Sequence, residues 1–174
     1  MIQSDHILEP HYQGIFQLSK VLPEDLVLAR KVKSLAPLKD AICGFESLIR
    51  VNQKQLKKSF EEDDFLQIDL DSINTAVIFD IAKKVNLNLE LDQVCLLKSW
   101  RHCSVLPGKL FVNILPRNFY HIDKLIEALP KGRSVVFELS ETEVINNHEL
   151  LQEKKIGFSK DDFEVAIDDF GKGY

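Results

Sequence analysis

The sequence predicts an α/β fold in which parallel strands carry helices on their outer face. Five short segments rich in Val, Ile and Phe read as strands, and segments of helical period lie between the later ones. Polar residues inside the last strands recur at nearly the interval of one strand–helix–strand repeat. The 174 residues suffice for one domain with a hydrophobic core.

The first strand is expected at Tyr12–Leu18 (YQGIFQL). Ser19–Asp40 is long for a connection and is expected to hold a helix around Glu24–Leu35. The second strand falls at Ile42–Arg50 (ICGFESLIR). Val51–Asp71 carries Glu61, Glu62, Asp63 and Asp64 in a row and reads as a solvated loop. Ser72–Val85 repeats apolar residues at three and four spacing, with Asp71 or Ser72 as its N-cap. Leu89–Cys103 does the same. A third strand, Leu110–Leu115 (LFVNIL), precedes a helix at Asn118–Leu129 that Pro130 and Gly132 punctuate. The fourth strand, Ser134–Ser140 (SVVFELS), leads into a helix at Thr142–Lys155 closed by Gly157. Glu164–Phe170 (EVAIDDF) completes the set. The chain has no internal repeat and no low-complexity segment.

Apolar residues make up 45% and charged residues 28%, the balance of a globular protein. The net charge is −5, with no block of Lys and Arg that would mark a nucleic-acid polymer or an anionic membrane as partner. Cys43, Cys95 and Cys103 are too few and too irregularly spaced for a disulfide framework or a zinc site, and read as core residues in a reducing compartment. Met1–Pro10 lacks the basic stretch and apolar run of a secretory signal, and no apolar run approaches a bilayer span. The expected location is the cytoplasm, with no membrane contact from this segment, although a longer parent could be anchored elsewhere.

The chemistry gathers where oxygen-bearing side chains interrupt apolar strands: Glu46, Asn113, Glu138 and the pair Asp168–Asp169. Asn113 to Glu138 is 25 residues and Glu138 to Asp168 is 30. Parallel strands at that interval present the same ends on the same face. Buried carboxylates are costly unless paired or coordinated. Arg50 is the one cation expected within the strands, so the set calls for a divalent ion, and all-oxygen ligands favour Mg²⁺ or Mn²⁺ over zinc. Two adjacent Asp leave room for a second ion. Any one of these acids could instead cap a helix or pair with a surface lysine; their recurrence at strand ends argues against that for the set.

These residues carry a family resemblance. GFESLIR (Gly44 to Arg50) resembles the signature that names EAL domains, with Ser47 in place of the usual alanine. HYQGIF resembles the family's first strand, with Gly14 replacing proline. IFDIAKKVNLNLELDQVCL resembles its two-helix stretch, LFVNILPRNF its third strand, VVFELSETE its fourth, and AIDDFGKGY its DDFGTGY. The ordered set covers most of the chain.

The resemblance implies a modified TIM-type (β/α) barrel, incomplete here, with about five of eight strands, so that residues 1–174 are a partial EAL domain ending just after DDFG. It implies metal-dependent hydrolysis of cyclic di-GMP to linear pGpG with Mg²⁺ or Mn²⁺, and up to two ions. Glu46, Asn113, Glu138 and Asp168 then resemble the first ion's ligands, with Asp168 bridging to a second ion that Asp169 assists. Arg50 resembles the phosphate-binding arginine, Gln13 the substrate-contacting glutamine, and Glu141 the glutamate that steadies the loop after the fifth strand. Gln13 could equally be an ordinary edge residue, Arg50 a neutraliser of Glu46, and Glu141 the first residue of its helix.

There are departures. Lys172 replaces the threonine of the GTG turn, the HP-x-x-G stretch after the arginine is missing, and the family's later lysine, aspartate and glutamate have no counterpart before Tyr174. The 174-residue chain alone is therefore expected to be inactive, and an open barrel to self-associate, most simply as a homodimer. The alternatives are a degenerate EAL module that binds cyclic di-GMP or a protein partner without catalysis, and an unrelated acid-rich metal hydrolase on a barrel.

Overall fold

A computed structural model describes residues 7–60, 69–122, 134–146, 149, 163–169 and 171. One sheet holds five strands in chain order: β1 (Leu8–Phe16), β2 (Ile42–Val51), β3 (Lys109–Asn113), β4 (Val135–Ser140) and β5 (Phe163–Asp168). From β2 to β5 the strands are parallel, each reached through helical sequence, as parallel pairing requires. β1 runs antiparallel to β2, contrary to the all-parallel expectation. Their shared end needs no crossover, yet the connection carries α1 (Pro23–Val32) between 3-10 turns at Leu18–Lys20 and Ala36–Ala41. Its base is closed by Gln17 N–H donating to the Ala41 carbonyl at 2.8 Å.

Further helices among the described residues are α2 (Gln53–Ser59), α3 (Thr75–Lys84), α4 (Asn88–His102), α5 (Pro116–Tyr120) and α6 (Glu141–Asn146). α2 corrects the loop expected over Val51–Asp71: Asn52 caps it by accepting from Gln55 N–H at 3.1 Å, and Leu56 is buried beneath it. The acidic run at 61–64 lies outside the described residues. α3 starts later than expected because Asn74, not Asp71 or Ser72, accepts from Val77 N–H; those two residues belong to a separate 3-10 turn. The helices expected at Asn118–Leu129 and Thr142–Lys155 begin as α5 and α6, and most of their later residues fall outside the described set. No helix among the described residues is long and apolar enough to cross a membrane.

Alternation along the strands makes two different faces. Leu110, Val112, Val135, Phe137 and Leu139 turn toward the helices and pack with Leu96, Trp100 and Phe119. Phe137 is fully buried, stacked on Phe163 at 5.8 Å and edge-on to Phe119 at 6.0 Å. Its removal leaves a cavity enclosed on several sides, so Phe137→Ala is expected to cost about 3–5 kcal/mol, read as a lowered urea midpoint.

On the same side, Ser47 and Ser99 are both buried, and their hydroxyls meet at 2.7 Å. Ser99 in turn donates to the Cys95 carbonyl at 2.9 Å, while Tyr12 donates to the Ser99 carbonyl at 2.7 Å. The hydroxyl that departs from the family's usual alanine is thus satisfied. Cys95 and Cys103 are buried as expected; Cys43 is exposed, at the start of β2 where the register with β1 shifts and skips it. Gly44 is required by close approach: a Cβ there would meet the Lys109 carbonyl oxygen at 2.2 Å.

Candidate functional site

The opposite face of the sheet collects the polar side chains. Gln13 stands opposite Glu46, Glu46 opposite Phe111, Asn113 opposite Glu138, and Glu138 opposite Ala166. Paired residues share a face, as do residues two apart along a strand. Gln13, Glu46, Asn113, Glu138 and Asp168 therefore all project to one side. Asn113 and Asp168 are the last residues of their strands, at the end where parallel barrels place their chemistry.

The electrostatics follow from crowding acids in a partly dry place. Glu138 is half-buried, and its Oε2 is buried without a hydrogen-bond partner. Its carboxyl is pushed up to about 7, first by burial and then by the negative charges of Glu46 and Asp168. Glu46 is raised by burial and by Asp168, against a hydrogen bond from Asn113 and the charge of Arg50. Both protonate more readily than ordinary glutamates because burial and the neighbouring acids outweigh the help that Asn113 and Arg50 give Glu46.

The other expected residues occupy the rim. Arg50 shares the face of Glu46 four residues on, is exposed, and donates from Nη1 to the Ile49 carbonyl at 3.1 Å. Gln13 is exposed. Asp169 lies beyond the end of β5 with φ 58°, a left-handed conformation that short polar side chains tolerate. Gly171 follows with φ 85°, and its N–H donates to Glu141 Oε2 at 2.8 Å, tying the turn after β5 to the end of β4. Lys172 lies outside the described residues.

Sequence reasoning missed Lys109. It is the first residue of β3, on the site's face, and its Nζ bonds Glu164 Oε1 on β5 at 2.5 Å. The expectation that Arg50 is the one cation within the strands is thereby corrected: Lys109 is a second. The signal was its spacing of four from Asn113, which sets both on one face; the strand had been expected to start one residue later. Lys109 neutralises Glu164 near the other end of the face and leaves Glu138 unpaired.

Glu46, Asn113, Glu138 and Asp168 offer only oxygen donors, and Glu138 has an orphaned buried oxygen. That chemistry fits a hard divalent ion. As the side chains stand, no group of three or more His, Cys, Asp or Glu among the described residues is arranged to hold one. A cleft of about 450 Å³ lies elsewhere, between the start of β1, α2 and the end of α4, lined by His11, Asn52, Lys98 and His102, and holds none of these acids.

An open, mostly parallel sheet with helices on one face and acids on the other is part of a TIM-like barrel. The family model of the EAL domain matches residues 36–174, and the chain belongs to that family. Among solved structures it is similar to Klebsiella pneumoniae BlrP1 in a manganese/cyclic-di-GMP complex at pH 6, with 21% identity and a TM-score of 0.54. The match covers 99% of this chain and 41% of that one, so the chain spans less than half of its structural relative. A search of the curated proteins finds no match.

Proposed function

We propose that this chain supplies the first ligands and substrate contacts of a metal-dependent phosphodiesterase site that hydrolyses cyclic di-GMP to linear pGpG. The observation that carries the reading is Glu138: a half-buried carboxylate with an orphaned oxygen, its proton affinity raised by burial and by the charges of Glu46 and Asp168. Membership of the EAL family and the likeness to a manganese/cyclic-di-GMP complex support it.

Glu46, Asn113, Glu138 and Asp168 would hold Mg²⁺ or Mn²⁺, with Asp169 beside a second ion. A divalent ion bound there lowers the pKa of a coordinated water and offsets phosphate charge. Arg50 offers the phosphate a guanidinium fork from the rim, where its Nη1 donates to the neighbouring Ile49 carbonyl. Gln13, opposite Glu46, offers an amide to the nucleotide. Glu141 holds the Gly171 N–H and so fixes the turn that carries Asp169. Burial, with the Glu46 and Asp168 charges, raises the proton affinity of Glu138.

A second reading, binding without catalysis, is favoured by the absence of a ready three-acid group among the described residues. Cytoplasmic location and self-association also belong to the proposal; the open edges of β1 and β5, unpaired among the described residues, support the latter. The test is pGpG release from cyclic di-GMP with Mg²⁺ or Mn²⁺, comparing the 174-residue chain with a chain that carries the rest of an EAL domain. The expected result is metal-dependent release by the longer chain and none above background by the shorter. Tight cyclic-di-GMP binding without release by the longer chain would establish the second reading.

A further inference from the structure

Of the sixteen exposed large hydrophobic residues among those described, seven lie between Leu18 and Leu35, in the arm that joins β1 to β2. Leu18 is 83% exposed and Val27 69%; Leu22, Leu26 and Val32 are each about half exposed. α1 buries none of its ten residues. Among the described residues the arm packs chiefly on its own 3-10 turn, where Leu38 and Ala41 are buried. Apolar side chains at this density on one short segment mark an interaction surface.

The charges say what kind of partner fits. Glu24 and Asp25 occupy the first turn of α1, and Arg30 and Lys31 the last. Among the described residues none of the four forms an ion pair. A helix that is acidic at one end and basic at the other complements a second copy of itself laid antiparallel across a two-fold axis. Each acidic turn then faces a basic turn, and the leucines meet between them.

We propose that α1 is the homodimerisation surface of this chain, packing antiparallel on α1 of a second copy. α1 lies outside the stretch matched by the family model, which begins at residue 36, and the arm leaves the sheet at the end away from Asn113 and Asp168. The dimer therefore leaves the acidic face open, and the proposal stands or falls independently of the hydrolysis proposed above.

Light scattering over a concentration series, on the chain and its charge variants, tests it. Reversing the acidic turn (Glu24→Lys with Asp25→Lys) or the basic turn (Arg30→Glu with Lys31→Glu) is expected to weaken dimerisation about tenfold. Combining all four is expected to restore it, because complementarity returns. A role confined to the helix dipole predicts the opposite, since the combined variant is then the worst. Leu22→Ser with Leu26→Ser should leave a folded monomer by circular dichroism. The proposal is overturned by a parent chain that stays monomeric, by failure of the combined reversal to restore the dimer, or by a dimer that survives the leucine changes, which would place the contact on the sheet edges. Binding of the arm to phosphatidylserine vesicles by a monomeric chain would overturn it too.

Discussion

Glu46→Ala or Asp168→Ala, made in a chain that carries the rest of the domain, is expected to reduce pGpG release from cyclic di-GMP by about a thousandfold or more, to background. Each change removes a charged oxygen donor from the face of the sheet that Glu46, Asn113, Glu138 and Asp168 share. Losing one leaves the others too weak to hold an ion against water. Arg50→Ala should instead raise KM with a smaller effect on kcat, because Arg50 lies at the exposed rim. The assay is product release at saturating Mn²⁺ and again at limiting Mn²⁺. Near-normal turnover by the Glu46→Ala protein would show that the sheet face is not the reaction site.

The second large effect is on stability. Glu138 ordinarily titrates at 4.5 and is pushed up to about 7 in the fold. A carboxyl with a raised pKa keeps its proton in the folded chain after the unfolded chain has lost it. The metal-free protein is thus most stable below pH 4.5 as far as this group is concerned, and loses that stability as pH rises toward 7. Glu46, also raised, pulls the same way. A shift of this size is worth roughly 3 kcal/mol undiscounted, and solvent screening of a half-exposed group reduces it to about 1 kcal/mol. Glu138→Gln keeps the shape and removes the charge. It should raise the Tm of the metal-free chain at pH 8, flatten the fall in stability between pH 5 and pH 8, and abolish most of the Tm increase that Mn²⁺ gives the parent protein. A Glu138→Gln chain that is less stable at pH 8, or that gains as much from Mn²⁺, would contradict this account.

Much of the fold was legible because its core is written in runs of apolar residues. FVNIL, VVFELS and EVAID alternate or saturate with Val, Ile, Leu and Phe, and each became a strand within one or two residues of its expected bounds. The gathering of Glu46, Asn113, Glu138 and Asp168 on one face was legible from their spacing, since charge in such strands has few bland explanations. Strand direction was not: the apolar pattern of β1 reads the same whichever way it pairs. α2 hid because QKQLKKS has a single core residue, Leu56, so helical period has nothing to repeat. Lys109 hid because a lysine opening a strand looks like part of the turn before it. Turn-level detail, such as Asn74 rather than Ser72 capping α3, depends on local backbone angles that neighbouring Asn, Asp and Ser serve about equally well.

The buried pair Ser47 and Ser99 imposes an order on how this sequence can change. Ser99 keeps a partner for its hydrogen in the Cys95 carbonyl whether or not Ser47 is present. Ser47 has no such second outlet; its hydroxyl donates to Ser99. Reverting Ser47 to the family's alanine is therefore an open step, costing little beyond one contact. Changing Ser99 first strands a buried donor, at about 1–3 kcal/mol. The order that never strands a buried donor has serine arrive at position 99 before position 47, and leave position 47 before position 99.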